Sequence, residues 1–119
     1  MKKVLYVSAL CMLALIVLST ASAYAIGLGD QVMVSWKGKW YPSVIIQQSD
    51  ANFRIHYLGY DNSWDEWVTL GRIRFQVSWK GQWYPATALE SSGSRVRIHY
   101  TGYDSSWDEW VTLDRIRAY

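Results

Sequence analysis

The stretch from Val34 to Arg74 returns without a gap from Val77 to Arg117, and 27 of the 41 aligned positions are identical. Identity at that level marks a tandem duplication, so the fold has to be one small unit used twice. Each copy reads as short strands. Val32, Val34 and Trp36 alternate with Met33 and Ser35, and Phe53, Ile55 and Tyr57 alternate with Arg54 and His56. That two-residue period is the mark of a strand with one buried face. Lys37-Gly38-Lys39 and Lys80-Gly81-Gln82 read as tight turns. A second strand is expected from Trp40 to about Gln48, with Pro42 near its entry. Ser49 to Asn52 and Ser91 to Ser94 are polar loops, Gly59 to Ser63 is a turn, and Trp64 to Thr69 is a fourth strand. Leu70 to Arg74 closes the unit, with room for one helical turn. With no segment suited to a long helix, the class is all-β, as two tandem small bent barrels of about five strands each.

The join between the copies carries no linker. Arg74 to Trp79 aligns on Gln31 to Trp36, so the end of copy one also opens copy two. A single strand from Arg72 to Trp79, roughly 26 Å long at strand rise, is expected to be shared by both barrels. Intertwined barrels that exchange strands are the alternative topology. The expected units are residues 28–75 and 76–119.

Residues 1–23 read as a secretory signal peptide. Lys2 and Lys3 precede a run from Val4 to Leu18 that is apolar apart from Ser8, and Ala21-Ser22-Ala23 supplies a small-residue cleavage site. Ala23-Tyr24-Ala25 is a second such site. The apolar run falls short of the roughly 20 residues that span a bilayer, so no stable span is expected after cleavage. Cys11 lies inside that run, which leaves the exported part without thiol or disulfide chemistry. The expected location is the periplasm or the outside of a bacterial cell. From Tyr24 onward ten Lys or Arg balance ten Asp or Glu. A neutral exported chain disfavours a nucleic-acid partner, which selects for a basic field.

The exported part is small and rich in rings, and all eight Trp lie in it. Small chains bury modest cores, and large rings compensate. Trp67 and Trp110 sit between an acid and Val-Thr-Leu, and are expected to face the core. Trp40 and Trp83 are read as structural or surface cover. Tyr57 and Tyr60 flank a Gly turn, Trp64 follows three polar residues, and Tyr41 opens the second strand. Rings carried on turns tend to line a rim. Several electron-rich faces converging on one point make a site for a methylated ammonium group. Two readings stay open at this stage, an aromatic cage or rings that merely pack.

The remaining polar residues read as supports. Asp65 and Glu66 are strand neighbours that should point to opposite faces and pair with Arg72 or Arg74, while Asp61 and Asp104 should cap their turns. His56 and His99 are read as surface or hydrogen-bonded strand residues. Arginines at alternating positions (Arg54, Arg72, Arg74; Arg95, Arg97, Arg115, Arg117) leave open a stripe for single-stranded nucleic acid. No phosphate loop, Ser-His-Asp set or metal-spacing motif occurs in the sequence. The chain is therefore read as a non-enzyme with no catalytic residue, cofactor or metal.

The stretches W-Y-P, R-I-H-Y-x-G-Y-D-x-S-W-D-E-W-V and R-I-R resemble the chromo barrel, or Tudor-knot, branch of the Tudor and chromo superfamily, over nearly all of each repeat. The resemblance implies SH3-like, Tudor-like bent barrels that bind methylated lysine in an aromatic cage or are linked to RNA binding. Carried over, the cage positions fall on Tyr41, Tyr57, Tyr60 and Trp64, and on Tyr84, Tyr100, Tyr103 and Trp107. The family's C-terminal helix has no counterpart, and the export signal removes the chain from histones. The expectation is thus a secreted binding module for a methylated peptide or a small quaternary ammonium such as choline or a betaine. A structural or adhesion module at the cell envelope is the first alternative, and RNA binding the second.

Overall fold

The computed structural model describes residues 25–119, and the leader expected over residues 1–23 lies outside them. The first repeat forms β1 (Gln31–Trp36), β2 (Lys39–Ser49), β3 (Asn52–Tyr57) and β4 (Glu66–Thr69). The second forms β5 (Phe75–Trp79), β6 (Gln82–Ser92), β7 (Arg95–Tyr100), β8 (Glu109–Thr112) and β9 (Ile116–Ala118). All pairings are antiparallel, in sheets of order β1-β2-β3-β4 and β8-β7-β6-β5-β9.

The turn chemistry fixes the first hairpin of each unit. Lys37 and Gly38 have φ of 49° and 82°, and Lys80 and Gly81 repeat this at 48° and 80°. Two successive left-handed residues make the two-residue turn whose twist matches the strands it joins. The register then sets Val34 opposite Tyr41 and Ser43 opposite Tyr57. The long strands β2 and β6 each carry a bulge, between Ile45 and Gln47 and between Ala88 and Glu90. A bulge raises local twist and bends the strand, which curls a short sheet towards a barrel.

Alternation places Val32, Val34, Ile45, Phe53, Ile55 and Val68 inside the first unit, and Phe75, Val77, Val96, Ile98, Val111 and Ile116 inside the second. These residues form one continuous cluster across both repeats. The junction explains the continuity. Ile73 bridges Val34 of β1, and the Arg74 N–H donates to the Met33 carbonyl at 3.0 Å. The Arg74 carbonyl accepts from the Tyr119 N–H at 3.4 Å, and Phe75 begins β5 between β6 and β9. One extended run from Ile73 to Trp79 therefore leaves one barrel and enters the next. Each sheet draws its strands from its own repeat, so the units sit side by side.

The run starts one residue later than the expected Arg72. Leu70–Arg72 form a 3₁₀ turn instead, as do Leu113–Arg115. This turn brings the Arg72 side chain back over β1, where its Nε donates to the Ser35 carbonyl at 2.9 Å. Leu70 is buried and its turn packs on β6, whereas Leu113 is half-buried. Near the start, the Ile26 N–H donates to the Ile116 carbonyl at 2.9 Å and ties the first repeat to the last strand of the second.

Candidate functional site

The inward face of each barrel continues past its aliphatic core into rings. Val34 is fully buried, and two residues on, at the end of β1, Trp36 extends the same face. Tyr41 faces Val34 across the first hairpin, and Tyr57 follows Phe53 and Ile55 as the last inward residue of β3. Gly59, at φ 87°, then reverses the chain, and the Tyr60 N–H closes the turn on the Tyr57 carbonyl. Asp61 caps the next 3₁₀ turn, Asn62–Trp64, by accepting from the Ser63 N–H at 2.8 Å. That cap holds Trp64 over the mouth of the barrel.

Five rings meet there. The Trp36–Trp64, Trp36–Tyr41, Tyr41–Tyr57 and Tyr41–Tyr60 centroids lie 5.8, 6.2, 6.0 and 6.1 Å apart. Their planes cross at 71–84°, so the rings stand as walls and do not stack. They enclose an open recess of about 170 Å³ lined by Trp36, Tyr41, Tyr57, Tyr60 and Trp64. The second repeat builds the same box from Trp79, Tyr84, Tyr100, Tyr103 and Trp107 around about 70 Å³. Its corresponding centroid separations are 5.7, 6.3, 6.0 and 6.0 Å.

All eight ring positions named from the sequence fall in these two boxes. The expectation that turn-borne rings form a rim describes Tyr60 and Trp64, which are 53% and 50% exposed. It does not describe Tyr57, which is 6% exposed. Tyr57 belongs to the inward phase of β3, and its ring is the floor of the recess. The sequence reading missed Trp36 and Trp79. The signal was present: each is the last residue in phase with buried valines, where an inward face runs out of core.

The floor is anchored by ionic groups. The Tyr57 hydroxyl donates to Glu66 Oε2 at 2.6 Å, and Arg72 reaches the same carboxylate at 3.0 and 3.3 Å. Burial, then the bonded Glu66 carboxylate, push the Tyr57 phenol up from 10 to about 12. The Arg72 hydrogen bond holds the Glu66 carboxyl below its usual range, and Glu66 raises the Arg72 guanidinium in return. Tyr100, Glu109 and Arg115 repeat the network, with the Tyr100 phenol also raised, chiefly by burial. Asp65 turns the other way and meets His56 Nδ1 at 2.7 Å, matched by Asp108 and His99. The neighbouring acids therefore diverge, one beneath the recess and one to the outer face. No carboxylate lines either recess.

Two segments of the chain, residues 26–75 and 73–118, match the family model Tudor-knot, described as the RNA binding activity-knot of a chromodomain. The chain belongs to the Tudor-knot family. The two Tudor-knot segments overlap at residues 73–75, where the chain passes from one barrel to the other. A comparison with curated proteins found no match. The Tudor-knot is a binding domain, and its rings, not an acid–base pair, are what each unit presents at its mouth.

The outer faces of the Tudor-knots hold the remaining tryptophans. Trp67 and Trp110, expected in the core, are 45% and 38% exposed. Val68 and Val111 take the inward phase of β4 and β8, and a period of two turns the preceding Trp outward. Trp40 carries the Arg74 guanidinium at 4.5 Å from its centroid, and Trp83 carries Arg117 at 4.3 Å. Arg95 lies 5.5 Å from Trp110. The arginines thus divide. Arg72 and Arg115 are committed to the networks beneath the cages, while Arg74 and Arg117 stack on outward rings at the junction.

Proposed function

We propose that this protein is an exported two-site binding module whose five-ring cages each take a methylated ammonium group, free or on a peptide. The observation that supports this reading most is the duplicated box itself. Five electron-rich rings from three separate segments enclose an open recess with no hydrogen-bonding carboxylate in its lining. Such a recess offers little to an ordinary ammonium, which holds its water tightly. A methylated ammonium keeps its charge, sheds water easily and gains roughly 0.5–2 kcal/mol from each ring face it meets. The half-exposed Tyr60 and Trp64 weigh against a purely packing role. Export rests on the leader-like residues 1–23.

The reading is tested by tryptophan fluorescence of the mature protein titrated with trimethyllysine, choline and betaine. Saturable quenching at millimolar ligand, abolished by Trp64→Ala with Trp107→Ala, is expected. A flat titration, or one untouched by the double substitution, refutes it.

RNA binding is the second reading. It is favoured by the family description and by the Trp40–Arg74 and Trp83–Arg117 stacks, whose guanidinium groups, that of Arg117 also donating through Nε to Gln76 Oε1, could meet phosphates or bases. Salt-dependent retention on single-stranded RNA that disappears in Arg74→Ala with Arg117→Ala would place binding on that outer surface.

A further inference from the structure

Each cage has a cation against one of its walls. Lys37 Nζ lies 4.9 Å from the centroid of Trp36, a cage wall, and Lys80 Nζ lies 4.9 Å from that of Trp79. The two-residue turns of left-handed Lys and Gly set both lysines beside their tryptophans. Neither lysine has an ion pair among the described residues. Glu66 and Glu109, the nearest acids to the floors, are bound to Tyr57 with Arg72 and to Tyr100 with Arg115. A bare cation in the cage would therefore sit near an uncompensated like charge, with no carboxylate in the lining to offset it.

We propose that each cage selects a zwitterion, with its quaternary ammonium among the rings and its own phosphate or carboxylate, a few ångström away, on Lys37 in the first repeat and Lys80 in the second. This rests on the cage reading of the site and narrows it. The anion answers both difficulties at once: it cancels the repulsion from the lysine and supplies the partner that the lysine lacks. A cation about 7 Å from the lysine, the most that a bridging anion can span, is disfavoured roughly fivefold at intermediate screening, and an anion in contact is favoured by at least as much, so preference for the zwitterion over the bare cation is roughly tenfold or more at low salt.

The test compares tetramethylammonium with phosphocholine and glycine betaine on the wild-type protein, on Lys37→Gln with Lys80→Gln, and on Lys37→Arg with Lys80→Arg. Both zwitterions are expected to bind about tenfold tighter than tetramethylammonium to the wild type. The Gln variant should bring the ratio close to one by weakening the zwitterions and improving the bare cation, and the Arg variant should restore it. Equal wild-type affinity for all three ligands, or an unchanged ratio in the Gln variant, overturns the selection of zwitterions while leaving the cage intact. No binding of any ligand overturns both. Phosphatidylcholine vesicles that compete with soluble phosphocholine would locate the zwitterion in a lipid headgroup, and vesicles that do not compete would locate it in a soluble or polymer-borne group.

Discussion

Replacing Tyr57 by Phe separates the two jobs of the cage floor. The ring that faces the recess stays, and only the hydroxyl beneath it is lost. That hydroxyl donates to Glu66 Oε2 at 2.6 Å in a residue that is 6% exposed. A hydrogen bond to a charged partner contributes about 1.5–3 kcal/mol. Arg72 continues to hold Glu66 after the change, so the lower end applies, about 1.5 kcal/mol for Tyr57→Phe and about 3 kcal/mol with Tyr100→Phe added. For a chain of this size each kcal/mol moves the melting temperature by about 4–8 °C, which gives about 6–12 °C for the single variant. The pH dependence carries a sign. The folded phenol is raised from 10 to about 12, so the neutral form is the one the fold favours. Its contribution is complete below pH 10 and is lost as pH rises towards 12. Thermal melts of wild type and variant across that range should converge, while cage-ligand affinity at neutral pH stays within about twofold, since the ring face is retained. Equal melting temperatures at neutral pH, or a large loss of affinity in the Phe variant, would refute this division of labour.

Glu66→Gln should destabilise at neutral pH and lose that deficit in acid. The Glu66 carboxyl is depressed in the fold, chiefly by its Arg72 hydrogen bond, so its stabilisation is present above the ordinary value of about 4.3 and vanishes as pH falls through the lower folded value; urea melts as a function of pH follow it. Trp67→Gln should change stability by no more than about 0.5 kcal/mol, as for an exposed site, whereas a core tryptophan would cost several times that. Calorimetric titration of the wild type should give two sites per chain, and Trp64→Ala alone should leave one. Trp79 ends the shared run and Trp36 lies two residues beyond the Val34–Ile73 bridge at its other end, so the run from Ile73 separates them by roughly 23 Å at strand rise, and a short bis-quaternary ligand should show no avidity gain over its monovalent half.

Much of this was legible in the sequence because the duplication repeats every local signal. Alternation of Val32 and Val34, and of Phe53 and Ile55, gives strands whose buried faces are those observed. Gly59 and the Asp61 cap mark the turns that carry Tyr60 and Trp64. What escaped were residues whose role depends on where a sheet ends. Trp36 has the same alternation phase as a core residue, and only the barrel mouth turns it into a wall. Trp67, between an acid and Val-Thr-Leu, reads as a core residue, yet Val68 occupies the inward phase and Trp67 must face out. Arg72 reads as the start of the shared strand because no linker separates the copies, whereas its contacts with Ser35 and Glu66 require the 3₁₀ turn. Long-range partners decide the roles of Trp36 and Arg72, whereas the phase that turns Trp67 outward is set within β4 itself.

The most direct test of the central claim is NMR saturation transfer from the methyl protons of a bound quaternary ammonium, phosphocholine being a suitable probe, to the ring protons of the protein. The account predicts transfer to the indoles of Trp36 and Trp64 and to those of Trp79 and Trp107, with Trp40 and Trp67 silent. Transfer confined to Trp40, Trp67, Trp83 or Trp110, or no transfer at saturating ligand, would contradict it.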